Sequence, residues 1–400
     1  MFQKLDVSLA FVFVIAGSLV TGCGPQETAI ASSATSSSGQ GGGGGVGGDG
    51  GVGGTGGTGG MGGDGGAGGA VAWAKPACNG ISGTSAVTFT TDDGATLAQT
   101  PGQLDGIGYT FGLAALDTPN TLLAEHKGIL LRSEDAGCTW KEIGQLDGGP
   151  FRITAAKGGL AYAWADNGAA FYRIDETGSH KVATPAQNVV GVGVDPQDGL
   201  HLRIGDANGA LADSKDGGNS WMKQGSFPAT GIGYRFAFDP TDIDHVVFGQ
   251  SVEGAAVSFD GGKTSKPSAG LGTGTNPFSI VVSPVDRNVV WAEAKDLGSD
   301  TRYIYRSTDG GSTFSAVVTE SPEVTLINGN LLAPHAADPN VLYFVFGSWY
   351  ADYGTDLYRY DHATGKVTKT HNAYDEIGAI VASPADSNLL YLGLTVENGI

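Results

Sequence analysis

One eight-residue phrase occurs four times in this chain. It reads Ser133-Glu-Asp135-Ala-Gly137-Cys-Thr139-Trp140, then Ser214-Lys-Asp216-Gly-Gly218-Asn-Ser220-Trp221. It returns as Ser258-Phe-Asp260-Gly-Gly262-Lys-Thr264-Ser265 and as Ser307-Thr-Asp309-Gly-Gly311-Ser-Thr313-Phe314. Short Ser, Thr and Asp side chains can hydrogen-bond backbone N–H groups two or more residues on, so such a phrase closes a turn without a partner strand. Its glycine supplies a positive φ, and the aromatic residue opens the following strand and packs between sheets. Ser265 stands where the aromatic belongs, so the strand it opens is expected to pack less tightly.

A second signal runs in step with the first. Apolar runs end in proline at Pro196, Pro240, Pro284, Pro334 and Pro384, which are 44, 44, 50 and 50 residues apart. Degenerate turns at Asp175…Gly178 and Asp361…Gly365 fill gaps in the series. A period of about 40–50 residues holding four short strands is the sequence signature of a propeller blade. Units start near 107, 150, 189, 233, 277 and 327, and the tail 376–400 supplies two strands of a seventh, Ala379–Ala382 and Asn388–Thr395. The segment Ala86–Thr91, followed by Asp92-Asp93-Gly94, has the strand-then-turn character that the tail lacks. The expected fold is all-β, a seven-bladed propeller of four-stranded antiparallel blades. Its N-terminal strands complete the last blade and remove two open sheet edges.

The pattern Ser-x-Asp-x-Gly-x-Thr-Trp/Phe resembles the Asp-box of the sialidase-like β-propellers, and the resemblance covers about 300 residues at the level of repeats. In that family the turn faces away from the ligand side. Its enzymes hold the substrate carboxylate with three arginines and attack with a tyrosine activated by a glutamate. Phe151-Arg152-Ile153-Thr154 is similar to the Arg-Ile-Pro motif of the first arginine, but it lacks the proline and follows the first turn. No third arginine and no Tyr–Glu pair is assignable, so the resemblance carries over no catalytic residue. Xyloglucan hydrolases and sortilin-type receptors share such blades, and fold alone does not decide among activities.

Residues 1–70 are read as lying outside the propeller. Lys4 precedes an apolar stretch from Val7 to Val20, of signal-peptide length. It closes on Val20-Thr21-Gly22-Cys23, which resembles the lipobox of bacterial lipoproteins. The resemblance implies a leader over 1–22, lipidation at Cys23 and a membrane anchor. Gly24 after the cysteine favours the outer membrane or cell surface over inner-membrane retention. Residues 24–40 are rich in Ser, Thr and Ala, and 41–69 repeat Gly-Gly-x without proline, which excludes a collagen helix. Little apolar surface is present to offset ordering, so 23–70 is expected to be a flexible tether spanning on the order of 40 Å root-mean-square. The propeller then occupies 71–400.

The net charge of −19 argues against nucleic-acid binding and against attachment to anionic lipid by charge. With Cys23 lipidated, Cys78 and Cys138 remain, an even pair that suggests a disulfide in an oxidising compartment. Catalytic signatures are missing: the chain has no HExxH, no GxSxG, no phosphate loop and no CxxC. Its seven His show no metal-ligand spacing, and His335 and His362 read as loop residues. No metal or cofactor is expected.

Two groups of residues could line a ligand face. The loops between second and third strands carry Trp349, Tyr350, Asp352 and Tyr353 in the sixth unit and Asp296 in the fifth. Flat aromatic faces beside an acceptor suit carbohydrate, although aromatics can equally cap a blade's own core. Arg152 and Arg235 occupy matching places at the start of inner strands, near the axis. Two guanidinium groups there would favour a carboxylate or sulfate, unless each is paired with a neighbouring carboxylate. The expected function is that of a lipid-anchored, non-catalytic binding module for a glycan or protein partner. The alternative is a divergent sialidase-like glycoside hydrolase acting on an acidic sugar.

Overall fold

The repeated turn closes through one set of hydrogen bonds. Ser133 donates its hydroxyl to Asp135 Oδ1 at 2.9 Å and accepts the Gly137 N–H at 2.9 Å. Asp135 in turn accepts the Thr139 N–H at 2.9 Å and the Thr139 hydroxyl at 2.7 Å. The same four bonds recur around Asp216, Asp260 and Asp309. Gly137 sits at φ 94°, a left-handed conformation that a side chain resists. A fifth copy escaped the sequence reading. In Thr90-Thr-Asp92-Asp-Gly94-Ala-Thr96-Leu97, Thr90 replaces the serine and Leu97 the aromatic. Asp92 nevertheless accepts both the N–H and the hydroxyl of Thr96, at 2.8 and 2.7 Å, and Thr90 bridges Asp92 and Gly94 as Ser133 bridges Asp135 and Gly137.

The computed structural model describes residues 72–102, 104, 108–166, 168–347, 355–372 and 376–396. Six consecutive four-stranded antiparallel sheets span 112–145, 151–181, 189–226, 233–267, 275–319 and 332–372, here blades 1 to 6. Within each, strands follow sequence order from the inside outward, and the inner strands of neighbouring blades pack against one another. After Ser265 the outer strand of blade 4 shrinks to Lys266–Pro267, whereas Trp140 and Phe314 are buried at the matching place in blades 1 and 5.

Blade 7 is assembled from both ends of the propeller. Its inner strands are Glu376–Ser383 and Asp386–Thr395, and Val87–Thr90 adds to the latter antiparallel, with Phe89 opposite Tyr391. The fourth position is held by the segment around Ala98, whose N–H donates to Phe89 O at 2.8 Å while its carbonyl accepts the Thr88 hydroxyl. The ring is therefore closed as expected, with each strand slightly offset from its predicted bounds. Two further ties hold the closing segment. Cys78 and Cys138 form a disulfide to the turn of blade 1. Asp93 reaches into blade 6, where it accepts the Tyr343 hydroxyl and pairs with Arg359 at 2.6 Å.

Side chains also stitch blade to blade along one end of the barrel of strands. Glu125 accepts the Phe151 N–H, Glu293 the Gly329 N–H, Thr355 the Ile377 N–H and Thr395 the Thr110 N–H. Between blades 3 and 4, Phe236 stacks on Phe248 at 4.3 Å and takes the space beside Gly205, where an added Cβ would lie 2.1 Å from its ring.

Two outcomes follow. A bond across 60 residues restricts the unfolded chain, so Cys138→Ser lowers stability by about 4 kcal/mol, measurable as a fall in Tm that reduction of the parent protein reproduces. The turn carboxyls of Asp92, Asp135, Asp216, Asp260 and Asp309 all lie below the usual range, Asp260 down to about 2 through the bonds from Thr264. A depressed carboxyl contributes stability that is fully present above its unfolded pKa and is lost as pH falls through the folded one. Tm therefore declines between about pH 4 and pH 2, and Asp260→Asn shallows that decline.

Candidate functional site at the mouth of the central channel

Blade topology places the connections between blades and the loops between second and third strands at one end of the ring. The proline turns and the eight-residue turns lie at the other. A cavity of about 770 Å³ is lined by Arg152, Val192, Arg235, Ile280, Leu332 and Ile380, one residue from each inner strand of blades 2 to 7. It is therefore the central channel.

Arg152 and Arg235 converge in it at the loop-bearing end, as their positions near the strand starts predict. Between them stands Asp166, from the loop after the second strand of blade 2. Arg152 Nε and Nη2 each donate to Asp166 Oδ2 at 2.8 Å, and Arg235 Nη1 approaches Oδ1 at 3.5 Å. The guanidinium of Arg152 also lies over the Phe111 ring, 5.7 Å from its centroid. Burial raises the Asp166 carboxyl, but the two guanidinium charges outweigh it and hold the group below the usual range. Burial, with the charge of Arg152, pulls Arg235 down to about 10 against the opposing pull of Asp166, so it stays cationic at neutral pH. The cluster carries one excess positive charge. The two arginines thus share one carboxylate, which leaves one guanidinium charge unmatched within the cluster, and Asp166 is the residue the sequence reading missed. No spacing rule links Trp164-Ala-Asp166 to two arginines 14 and 69 residues away.

The other candidates do not join this cluster. Asp296 is on the same end, half-buried, its Oδ1 accepting the N–H groups of Gly298 and Ser299 at 2.8 Å. Trp349, Tyr350, Asp352 and Tyr353 lie outside the described residues, as does Cys23. Among the described residues no group of His, Cys, Asp and Glu is placed to hold a metal ion.

Two further polar features were not foreseen. An Asp-Pro-x-x-x-x-His pattern recurs in blades 3 and 4. Asp195 Oδ2 meets His201 Nδ1 at 2.9 Å, and Asp239 Oδ2 meets His245 Nδ1 at 3.0 Å. His245 is wholly buried and its Nε2 faces the Gly310 carbonyl at 2.8 Å. Both of its ring nitrogens thus face acceptors. Glu293 is also wholly buried. Its Oε2 accepts the Gly329 N–H at 3.0 Å, while Oε1 has no partner. Burial pushes this carboxyl up to about 8.

The raised Glu293 pKa gives a signed expectation. Below about pH 4.5 both folded and unfolded forms are protonated. As pH rises toward 8 the unfolded chain ionises first, and stability falls. Glu293→Gln removes that slope in Tm over the interval. At the channel mouth, Asp166→Asn leaves two half-buried guanidinium groups without that counter-charge and destabilises by less than the about 3–5 kcal/mol that breaking a fully buried pair on one side costs. Added sulfate recovers part of the lost Tm, a gain the parent protein does not show.

No family model matches the chain. Over 336 residues it is 48 % identical to the dispase autolysis-inducing protein of Streptomyces mobaraensis, an alignment that covers 80 % of this chain and 90 % of that one. Among solved structures, a GH74 xyloglucanase from Xanthomonas campestris superposes with a TM-score of 0.55 at 18 % identity, over 73 % of this chain and 52 % of its own. The chain thus spans about half the length of that enzyme. YCF48, solved bound to a D1 peptide, superposes with a TM-score of 0.53 at 14 % identity, over 80 % of this chain and the whole of the other. These two structural likenesses show the seven-bladed fold alone.

Proposed function

The chain belongs to the family of the dispase autolysis-inducing protein, and on that premise we propose that it is a non-catalytic binding module whose propeller engages a protein partner, a protease of the dispase kind. The observation that carries this reading is the 48 % identity over nine tenths of the relative's length. By its name, that relative provokes a protease to digest itself, and a protein that does so must contact its target. The channel chemistry agrees. A glycosidase general acid needs a carboxyl whose pKa is raised, and Asp166, between two guanidinium groups, is shifted the other way. At the N-terminus we place a lipid anchor at Cys23 and a Gly-rich tether over 24–70, holding the propeller clear of an outer membrane or cell surface.

A glycan ligand is the second reading, favoured by the Trp349–Tyr350–Asp352–Tyr353 sequence, and a hydrolase of acidic sugars is the third, resting on Arg152 and Arg235. The discriminating experiment incubates the full chain with dispase and follows intact protease by electrophoresis. Parallel samples contain xyloglucan and fluorogenic glycosides. Accelerated loss of intact dispase, without sugar release, is the expected result. Sugar release abolished by Arg235→Ala, with dispase unaffected, would overturn the proposal in favour of hydrolysis. For the anchor, Cys23→Ala is expected to move the protein from the membrane to the soluble fraction of its host.

A further inference from the structure

Three large apolar side chains from separate segments stand exposed together on the loop-bearing end. Ile232 is 69 % exposed, Val252 48 % and Leu297 42 %. Backbone bonds link their segments in succession, with Gly274 between Val252 and Leu297. The Ser251 N–H donates to Ile232 O at 2.8 Å, the Gly274 N–H to Val252 O at 2.6 Å, and the Leu297 N–H to Gly274 O at 2.9 Å. The patch therefore crosses the seams from blade 3 through blade 4 to blade 5. A half-buried ring pair, Tyr234 and Phe278 with centroids 4.6 Å apart, belongs to the same blades.

Val252 is held there at a cost. Its φ is 67°, a region where a β-branched side chain is strained. The other non-glycine residues with positive φ among those described are Asp93, Asn120, Lys127, Ala136 and Asp300. An exposed valine in that conformation gains nothing from the protein's own core, and glycine would relieve it.

The rim of the patch is acidic. Glu253 follows Val252, Asp296 precedes Leu297, and Asp300 lies in the same loop with its side chain 83 % exposed. Lys295 pairs with Asp300, and the Arg302 charge is taken up by Glu320. Charge disfavours two occupants. A second copy would set Glu253 and Asp296 against their own counterparts, Asp300 being paired with Lys295, on a chain of net charge −19. The chain's own segment 24–70 contains no Lys or Arg and only Val46, Val52 and Met61 as larger apolar side chains in its Gly-rich stretch.

We infer that Ile232, Val252 and Leu297 form the docking surface for a partner protein's apolar segment flanked by basic side chains. The inference rests on the protein-partner reading and names the surface that serves it. The patch supplies the desolvated centre of an interface and the acids its complementary rim. None of the three side chains takes part in the Arg152–Asp166–Arg235 cluster.

The test measures binding of the full chain to dispase by calorimetry, at low and at raised salt, for the parent, Ile232→Lys, Val252→Gly and Glu253→Lys. Ile232→Lys is expected to weaken binding at least tenfold. Val252→Gly weakens it severalfold while leaving Tm no lower than the parent's, which separates lost contact from lost folding. Glu253→Lys weakens binding at low salt, and the difference from the parent shrinks as salt rises. Equal affinity for all four proteins overturns the docking surface alone. Failure of the parent to bind overturns the protein-partner reading, and the surface with it. A parent that dimerises by sedimentation, and is made monomeric by Ile232→Lys, also overturns it by assigning the patch to a second copy.

Discussion

Every other feature of this propeller depends on the pairing of Val87–Thr90 with Asp386–Thr395. A sheet edge exposes unpaired N–H and C=O groups, and a ring of blades avoids two such edges only if its ends meet. Here the ends are some 300 residues apart in sequence, so that single antiparallel pair converts a row of blades into a closed ring. The polypeptide adds ties at the same place: the Cys78–Cys138 bond, the Asp93 contacts to blade 6 and the fifth eight-residue turn around Asp92. All act on the segment that brings the closing strand into position.

Closure is what brings the inner strands of seven blades around one axis and so creates the channel mouth. Arg152 and Arg235 start strands in blades 2 and 4, yet they share one carboxylate because the ring turns both toward the axis. The same geometry gathers Ile232, Val252 and Leu297 at one end, from three chain segments. The two groups differ in chemistry. In the arginine cluster two guanidinium groups share one carboxylate, whereas the apolar patch leaves its side chains in water. The second, strained and exposed, is the kind of apolar surface that marks a contact, as proposed above.

Much of the fold was legible because its signals are local. A turn closed by Asp135 and Thr139 needs only residues within eight positions, and prolines at regular intervals mark the first hairpin of blades 3 to 7. The turn at Asp92-Asp93-Gly94 was read as a turn but not as a fifth copy, because Thr90 and Leu97 depart from the commoner residues, although Thr90 keeps the hydroxyl the turn needs. The site was legible only in part. Register placed both arginines correctly, but Asp166 is a long-range partner that no periodicity reveals. Glu293 reads as one acid among many until its burial is seen, and the positive φ of Val252 leaves no trace in residue type. The function of the loop-bearing end depends on such tertiary facts.

The protein partner is proposed to dock on the Ile232–Val252–Leu297 patch rather than in the central channel. Hydrogen exchange of the full chain with and without dispase tests it most directly. Slowed exchange confined to the segments around Ile232, Val252 and Leu297 is the predicted result. Protection of the eight-residue turns at the opposite end, with those three segments unchanged, would contradict it.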